Sequence, residues 1–401
     1  MKKRGGLFSN RFPPLEARHE VSGLNSLFNG DHLTFAEYVS RNREMLRNVR
    51  SSISTSNIDK AVDGNAPFAL EPSSSAAAGK DKKYQRGILL THGLSDSPYF
   101  MRYVASSFQE AGFRVLAVLL PGHGSCPGDL LDVTWQEWVK TVAYGVDQLS
   151  SEVDEIYLGG YSAGGALSIY HSLRDKRVRG LFLFAPALEI TRRAAYAGLH
   201  KWVSWLLPRQ KWVYIKEDKD IYKYESFAKN TAVQMYWLTQ ALSEALQQHQ
   251  LTIPIFAVAS VDDKTVHTSA TIAFMAQQPN SVNQLILYTT DRSRITQANS
   301  DKKIIWVNSV VPEQKILSSA HTAILLAPED THYGMRGDYA NCVHYYPEQL
   351  EKYAACKLNP DNYCLGEVSD TNLEIGILRR LMYNPNFPLL KYSITKFIEN
   401  L

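Results

Sequence analysis

The stretch from Val153 to Leu167 constrains the fold more than any other part of the chain. An apolar, β-rich run, Ile156 to Leu158, leads straight into Gly160-Tyr161-Ser162-Ala163-Gly164, and Ala163 to Tyr170 follows with apolar residues at helical spacing. A serine between two glycines at such a corner sits on a sharp strand-to-helix turn, which lifts its hydroxyl above a sheet. The helix that follows brings unpaired backbone N–H groups under the same point, where they can hold a developing oxyanion. Ser162 is therefore the candidate nucleophile, and the corner suits acyl transfer.

The chain on both sides reads as alternating strands and helices. A strand at Arg86 to Thr91 ends in His92-Gly93-Leu94, Ser97-Pro98 opens a helix, and a second strand runs from Phe113 to Leu120. Nearly continuous apolar strands of this kind belong to a parallel sheet buried on both faces. Pro121-Gly-His-Gly124 closes the second strand. Thr134 to Glu137 has the spacing of a capping box for a helix through about Leu149. Further strands are expected at 178–184, 253–258, 284–288 and 303–307, with a short one at Phe68 to Leu70. Helices broken at Asn384 to Pro388 close the chain.

Two segments depart from the alternation. Residues 1–84 form an N-terminal extension. It holds an amphipathic helix at 34–50, with Phe35, Tyr38, Val39, Leu46 and Val49 opposite a basic side, and a Ser- and Ala-rich linker at 72–79. That basic helix either packs on the domain or makes a peripheral membrane contact. The remainder, 85–401, reads as the catalytic domain, interrupted by an insertion at 190–250. The insertion is rich in rings, among them Trp202, Trp205, Trp212, Tyr214, Tyr222 and Trp237, in sequence that looks mostly helical. An aromatic cap over the serine would bind an apolar acyl chain; the same rings could equally hold the insertion together.

A serine needs a base, and the base needs an acid to orient it. Asp263 follows a buried-type strand at its carboxyl end, where ligands gather in open α/β sheets, with Asp262 as the alternative. Of the later histidines, His321 lies in a small polar loop after the last strands, with His332 as its rival. The two oxyanion donors would be the N–H groups of Ala163 and Leu94, while His92 and His123 read as residues that shape their turns.

With these residues in place, the chain resembles the serine α/β-hydrolase superfamily, in the monoacylglycerol lipase, lysophospholipase and carboxylesterase-like branch that also includes serine aminopeptidase-like relatives. The resemblance is carried by Leu89 to Pro98, Leu119 to Gly124, Gly160 to Gly164, Ser319 to His321, and Ser260, Asp263 and Val266 in a small-x-x-Asp-x-x-Val pattern. It covers about residues 85 to 330. It implies an α/β-hydrolase fold, with a mostly parallel central sheet, helices on both faces and a helical cap. It also implies a serine hydrolase acting on small acyl esters or lipids with no cofactor or metal. The same motifs fit a peptidase or amidase, and a silent hydrolase fold used as a binding module is a third reading. The base segment lacks a Gly-His pair and is unusually long, which keeps His332 in play.

Composition narrows the partners. Lys+Arg 43 against Asp+Glu 40 leaves a net charge of +3, too near balance to favour nucleic acid. No apolar run is long enough for a membrane helix, and the basic start lacks an apolar signal core, so a cytoplasmic location is expected. Cys126 stands apart from Cys342, Cys356 and Cys364. Free thiols are expected in a reducing compartment, and Cys356 with Cys364 is the first pairing expected in an oxidising one. A zinc site from the last three with His344 matches no common spacing.

Overall fold

The computed structural model describes residues 13–53, 56–73, 83–190, 208–297, 303–358 and 362–401. Helix α1 (Phe35–Ile53) and α2 (Ile58–Asn65) precede strand β1 (Phe68–Leu70). Then come β2 (Tyr84–Thr91), α3 (Arg102–Glu110), β3 (Arg114–Val118), α4 (Trp135–Glu152), β4 (Val153–Tyr161), α5 (Ala163–Ser172) and β5 (Val178–Phe184). Strands β6 (Trp212–Tyr214) and β7 (Phe227–Ala228) pair with each other, and β8 (Ile255–Ser260), β9 (Gln284–Thr289) and β10 (Ile304–Asn308) complete the main sheet.

That sheet has eight strands in the order β1-β3-β2-β4-β5-β8-β9-β10, with only β1 antiparallel to its neighbour. Strand β4 lies between β2 and β5, so the corner after it stands over the middle of the sheet. The buried strands carry Ile, Leu, Val and Phe on both faces, because α4 and α5 cover one part of the sheet while α3 and helix Phe387–Glu399 pack together elsewhere. Among the described residues no helix is long and apolar enough to cross a membrane.

The amphipathic α1 lies on the domain. Phe35, Tyr38, Leu46 and Val49 are buried, and the Tyr38 hydroxyl donates to Leu119 O at 2.8 Å while accepting Leu119 N–H at 3.1 Å. Its basic side is engaged too. Arg43 pairs with Asp63, Arg47 with Asp59 at 2.7 Å, and Arg50 donates to the carbonyls of Gly124 and Ile221.

Four local expectations are corrected. Thr134 caps α4 without a side-chain bond, because Glu137 is drawn inward to accept the Phe28 N–H at 2.8 Å and Gln234 takes the Trp135 N–H at 3.0 Å. In the aromatic insertion, Trp212 to Tyr214 and Phe227 to Ala228 form antiparallel strands rather than helix. Helix Lys229–Gln248 packs on α4 and α5 and serves as the crossover from β5 to β8. Trp202 and Trp205 lie outside the described residues. Near the C-terminus β11 (Cys364–Gly366) and β12 (Leu378–Arg380) add a small parallel sheet, and β12 falls in the closing segment where only helix was expected.

The cysteine pairing differs as well: Cys342 and Cys356 form the disulfide, and Cys126 and Cys364 are free. Helix Leu350–Leu358 turns Cys356 back into an apolar cluster with Cys342, Tyr345 and Tyr353, whereas Cys364 opens a strand outside that cluster. Two of the three sulfurs that a zinc site would have shared are thereby consumed. The Tyr38 contacts give a direct test of how firmly the N-terminal helix is held. Tyr38→Phe strands a buried N–H and C=O at Leu119 and is expected to cost about 1–3 kcal/mol, read as a lower urea midpoint at unchanged m-value.

Candidate active site

Ser162 adopts φ 53° and ψ −113°, a backbone conformation that few non-glycine residues take up and that marks a strained corner. The surroundings enforce it. Ser162 N–H donates to Phe184 O at 2.9 Å, and its carbonyl accepts N–H groups from Gly165 and Ala187, both at 3.0 Å. A Cβ at Gly160 would meet Gly164 O at 2.2 Å, and one at Gly164 would meet Thr91 O at 2.1 Å. The flanking glycines are thus required by close backbone approach between β4, α5 and β2.

The structure brings Ser162, His321 and Asp263 together. His321 Nε2 lies 3.1 Å from Ser162 Oγ, and Nδ1 lies 2.6 Å from Asp263 Oδ2. Asp263 also accepts the N–H groups of Thr265 at 2.6 Å and Val266 at 3.1 Å. Burial pushes its carboxyl up, but His321 and these two N–H groups outweigh that and hold it below the usual carboxylate range. The ionised acid therefore faces Nδ1, which fixes that nitrogen as the N–H and leaves Nε2 free to accept from the serine.

The alternatives point elsewhere. Asp262 accepts the Thr290 hydroxyl at 3.0 Å and the Ser309 hydroxyl at 2.6 Å, tying the β8 loop to the ends of β9 and β10. His332 sits buried between Asp220, 3.3 Å from its Nε2, and Asp338 at its Nδ1. Burial presses its pKa down, yet the two carboxylates prevail and hold it above the ordinary histidine value. It joins the segment around Asp220 to the one around Asp338 and makes no bond to Ser162.

Ala163 is the first residue of α5 and Leu94 follows β2. Among the described residues neither N–H is taken by another group, and both residues lie beside the serine. His92 accepts Leu120 N–H at 3.1 Å through Nε2 and its Nδ1 contacts Gly93 O at 2.8 Å, so it ties the Leu94 turn to the end of β3. His123 holds the carbonyl of Pro121 in the same way at 3.0 Å. Burial drives both rings' pKa values down, that of His123 to about 4, and keeps them neutral.

Three positioning residues escaped the sequence reading. Tyr161, the middle residue before the serine, stacks on the His321 ring with centroids 5.1 Å apart and donates its hydroxyl to His321 O at 2.9 Å. Buried Glu367 accepts the His321 N–H at 3.0 Å. Arg380 pairs with Glu367 at 2.8 Å and donates to Thr265 Oγ1 at 2.7 Å, linking the base loop to the acid loop. The Tyr161 contact has a signal in the motif; Glu367 and Arg380 come from the small C-terminal sheet and have none.

A cavity of about 480 Å³ opens over Ser162 and His321. Its lining includes apolar Ala187, Ile190, Phe227, Met235 and Val266 and, from the segment after His332, Tyr339, Asn341, Val343 and His344. Of the aromatic insertion, Tyr214, Tyr224 and Phe227 face this cavity, whereas Tyr222 stacks on Tyr99 at 3.7 Å and Trp212 packs edge-on to His19.

Comparison with known proteins agrees with this architecture. Residues 82–292, more than half of the chain, match the hydrolase family described as serine aminopeptidase, S33. A thermostable monoacylglycerol lipase from Bacillus sp. (strain H-257) is 32% identical over 109 residues, 27% of this chain and 44% of the lipase. The chain thus matches less than half the length of that curated relative. A solved structure of the metagenome-derived lipolytic enzymes LipS and LipT is 19% identical, covering 59% of this chain and 95% of its own, with a TM-score of 0.46. The monoacylglycerol lipase of Paleococcus ferrophilus is 15% identical over 56% of this chain and 88% of its own, with a TM-score of 0.43.

The raised His332 makes stability depend on pH. Its proton is bound more tightly in the folded chain than at the unfolded value of about 6.5, so its contribution is full below that pH and fades as pH rises through the folded value. Urea unfolding is expected to show wild type losing more stability than His332→Gln between pH 6 and pH 9; parallel curves for the two would rule the effect out.

Proposed function

The chain belongs to the serine aminopeptidase S33 family of α/β hydrolases, and from that premise we propose that it hydrolyses carboxylic esters of small or lipid-like substrates through an acyl-enzyme on Ser162. The observation that carries this reading is the continuous hydrogen-bonded line from Ser162 Oγ through His321 to Asp263 at the edge of a cavity lined by Ser162 and His321. His321 takes the serine proton as Oγ attacks the ester carbonyl. Charge on the carbonyl oxygen is held by the N–H groups of Ala163 and Leu94. The protonated His321 then gives its proton to the departing alkoxide, and water activated by the same ring releases the acid. Asp263 keeps the ring oriented and stabilises the imidazolium.

The same three residues would serve for an amide, and the family's description as aminopeptidases favours that second reading. An aminopeptidase must hold a cationic amine, which calls for an unengaged carboxylate. The acids that line the cavity are already occupied: Asp96 by Lys223, Asp220 by the Tyr333 hydroxyl and His332, and Glu225 by the Lys219 N–H and the Tyr339 hydroxyl. The apolar wall formed by Phe227, Met235 and Val266 suits an acyl chain instead. A silent binding module would not need the serine and imidazole held at bonding distance.

Hydrolysis of p-nitrophenyl esters from C2 to C16 tests the ester reading against amino-acid p-nitroanilides. Ser162→Ala is expected to abolish turnover and fluorophosphonate labelling, Asp263→Asn to lower kcat by about 10⁴-fold, and Asp262→Asn to stay within a few-fold of wild type. Anilide turnover with inert esters would establish the peptidase.

Cytoplasmic placement is part of the proposal and carries a condition of its own. Cytosolic thiols are kept reduced, so the Cys342–Cys356 bridge would be open there. Alkylation of protein denatured straight from cells is expected to modify all four cysteines in the cytoplasm; labelling confined to Cys126 and Cys364 would place the protein in an oxidising compartment.

A further inference from the structure

The cavity lining also holds polar groups whose bonding capacity is unused. The Oδ1 of Asn341 is buried without a hydrogen-bond partner among the described residues, and the buried ring nitrogens of His344 have the Leu378 backbone beside them but make no well-aligned bond. Asn341 spends its amide nitrogen on Met382 Sδ, leaving the carbonyl oxygen over. Burying such atoms unpaired costs free energy, and native structures keep few of them without a reason. Here all three atoms belong to residues that line the same cavity as Ser162 and His321.

Lys216 lines the same cavity, between the Tyr214 ring, 5.6 Å from its ammonium, and the Tyr346 carbonyl. It is half-buried, and among the described residues it has no carboxylate within ion-pair distance; its ammonium donates to the Tyr346 carbonyl. An ammonium has three donors, so two remain. The other cations of the cavity are committed, Lys223 to Asp96 and Arg380 to Glu367. Burial presses the Lys216 pKa down, and Glu348 and Glu225 act against that from beyond ion-pair distance. Asp220 is held by Tyr333 and His332, and burial raises the Glu225 carboxyl to about 7, where much of it is uncharged at neutral pH. His344 is pressed down to about 4 by burial and by Arg380, so its ring is a neutral donor and acceptor.

We propose that Lys216, His344 and Asn341 form a subsite for an anionic oxyacid group, a carboxylate or a phosphate monoester, carried by the ester substrate away from its scissile bond. Lys216 supplies the charge and two donors. His344 supplies a further N–H to the anion, and Asn341 Oδ1 accepts from a hydroxyl or from a protonated oxygen of the same group. The substrate is then amphiphilic: an apolar portion lies along Phe227, Met235 and Val266, the ester sits at Ser162, and the anionic end meets residues 339–344. The Tyr346 carbonyl that positions the ammonium belongs to the segment fastened by the Cys342–Cys356 disulfide.

This inference rests on the ester-hydrolase reading, and two readouts keep the two apart. In the first, matched esters are compared: p-nitrophenyl hexanoate with the p-nitrophenyl half-ester of adipic acid, and a 1-acylglycerol with the corresponding 1-acylglycerol 3-phosphate. Wild type is expected to prefer the anionic member of at least one pair by about 10- to 100-fold in kcat/KM, the range of a charge-assisted hydrogen bond. The pair that shows the preference identifies the carboxylate or the phosphate as the source. Lys216→Met is expected to collapse that ratio towards one, and Lys216→Arg to retain most of it. The second readout needs no turnover: inorganic phosphate or monomethyl adipate should slow fluorophosphonate labelling of Ser162 in wild type and not in Lys216→Met. Protection without turnover of any ester would sink the ester reading and leave the subsite standing. Equal kcat/KM within both pairs, together with labelling that neither anion slows, would overturn the subsite, whether or not Lys216→Met folds.

Discussion

The close approach of three backbones at the corner after β4 is the constraint from which the rest of the site follows. Gly164 lies so near Thr91 O, and Gly160 so near Gly164 O, that side chains at either place are shut out. Ser162 is held at a positive φ by hydrogen bonds to Phe184 and Ala187 from the neighbouring strand. Because β4 sits between β2 and β5, that strain is borne by the most buried part of the sheet, where the alternatives would expose apolar strands on both faces. The corner then places the serine hydroxyl, the first N–H of α5 and the turn after β2 around one point.

The other side chains reach that point from the carboxyl ends of later strands, and they are held by a polar framework. Asp263 follows β8 and is fixed by two backbone N–H groups. His321 comes from the long segment after β10, gripped by Tyr161 beneath its ring and by Glu367 at its N–H. Arg380 spans from Glu367 to Thr265, so the acid and base loops share one buried ion pair. A buried pair of this kind adds little net stability, yet losing either partner leaves an uncompensated charge. Its value here is geometric, since it sets the distance between two loops that come from distant parts of the chain.

The segments added to the sheet serve the same end of the molecule. Helix α1 is tied to the chain after β3 by Tyr38 at Leu119 and by Arg50 at Gly124. Tyr339, Asn341, Val343 and His344 line the same cavity as Phe227 and Met235, and among the described residues the Asn341 Oδ1 there makes no hydrogen bond. The architecture thus separates two duties: the sheet and its corner supply reactive geometry, and the additions decide what shape and charge of molecule can lie against it.

The parallel sheet and the corner were legible in the sequence because continuous apolar strands and the glycine-serine-glycine spacing are local properties, enforced within a few residues. Ser162, Asp263 and His321 could be singled out since each follows a strand, although Asp262 and His332 satisfied the same local pattern. Only the folded chain separates them: Asp262 is drawn to Thr290 and Ser309, and His332 to Asp220 and Asp338, all remote in sequence. The Cys342–Cys356 pairing, the use of Glu137 to hold Phe28 in place of a capping box, and the three-residue strands β11 and β12 were hidden for the same reason. The sequence by itself determined the sheet and the turn that presents Ser162, since backbone sterics and apolar periodicity act over short range. The tertiary structure alone decided which acid and histidine face that serine and which charges line its cavity, because burial and hydrogen bonding between distant segments set those choices.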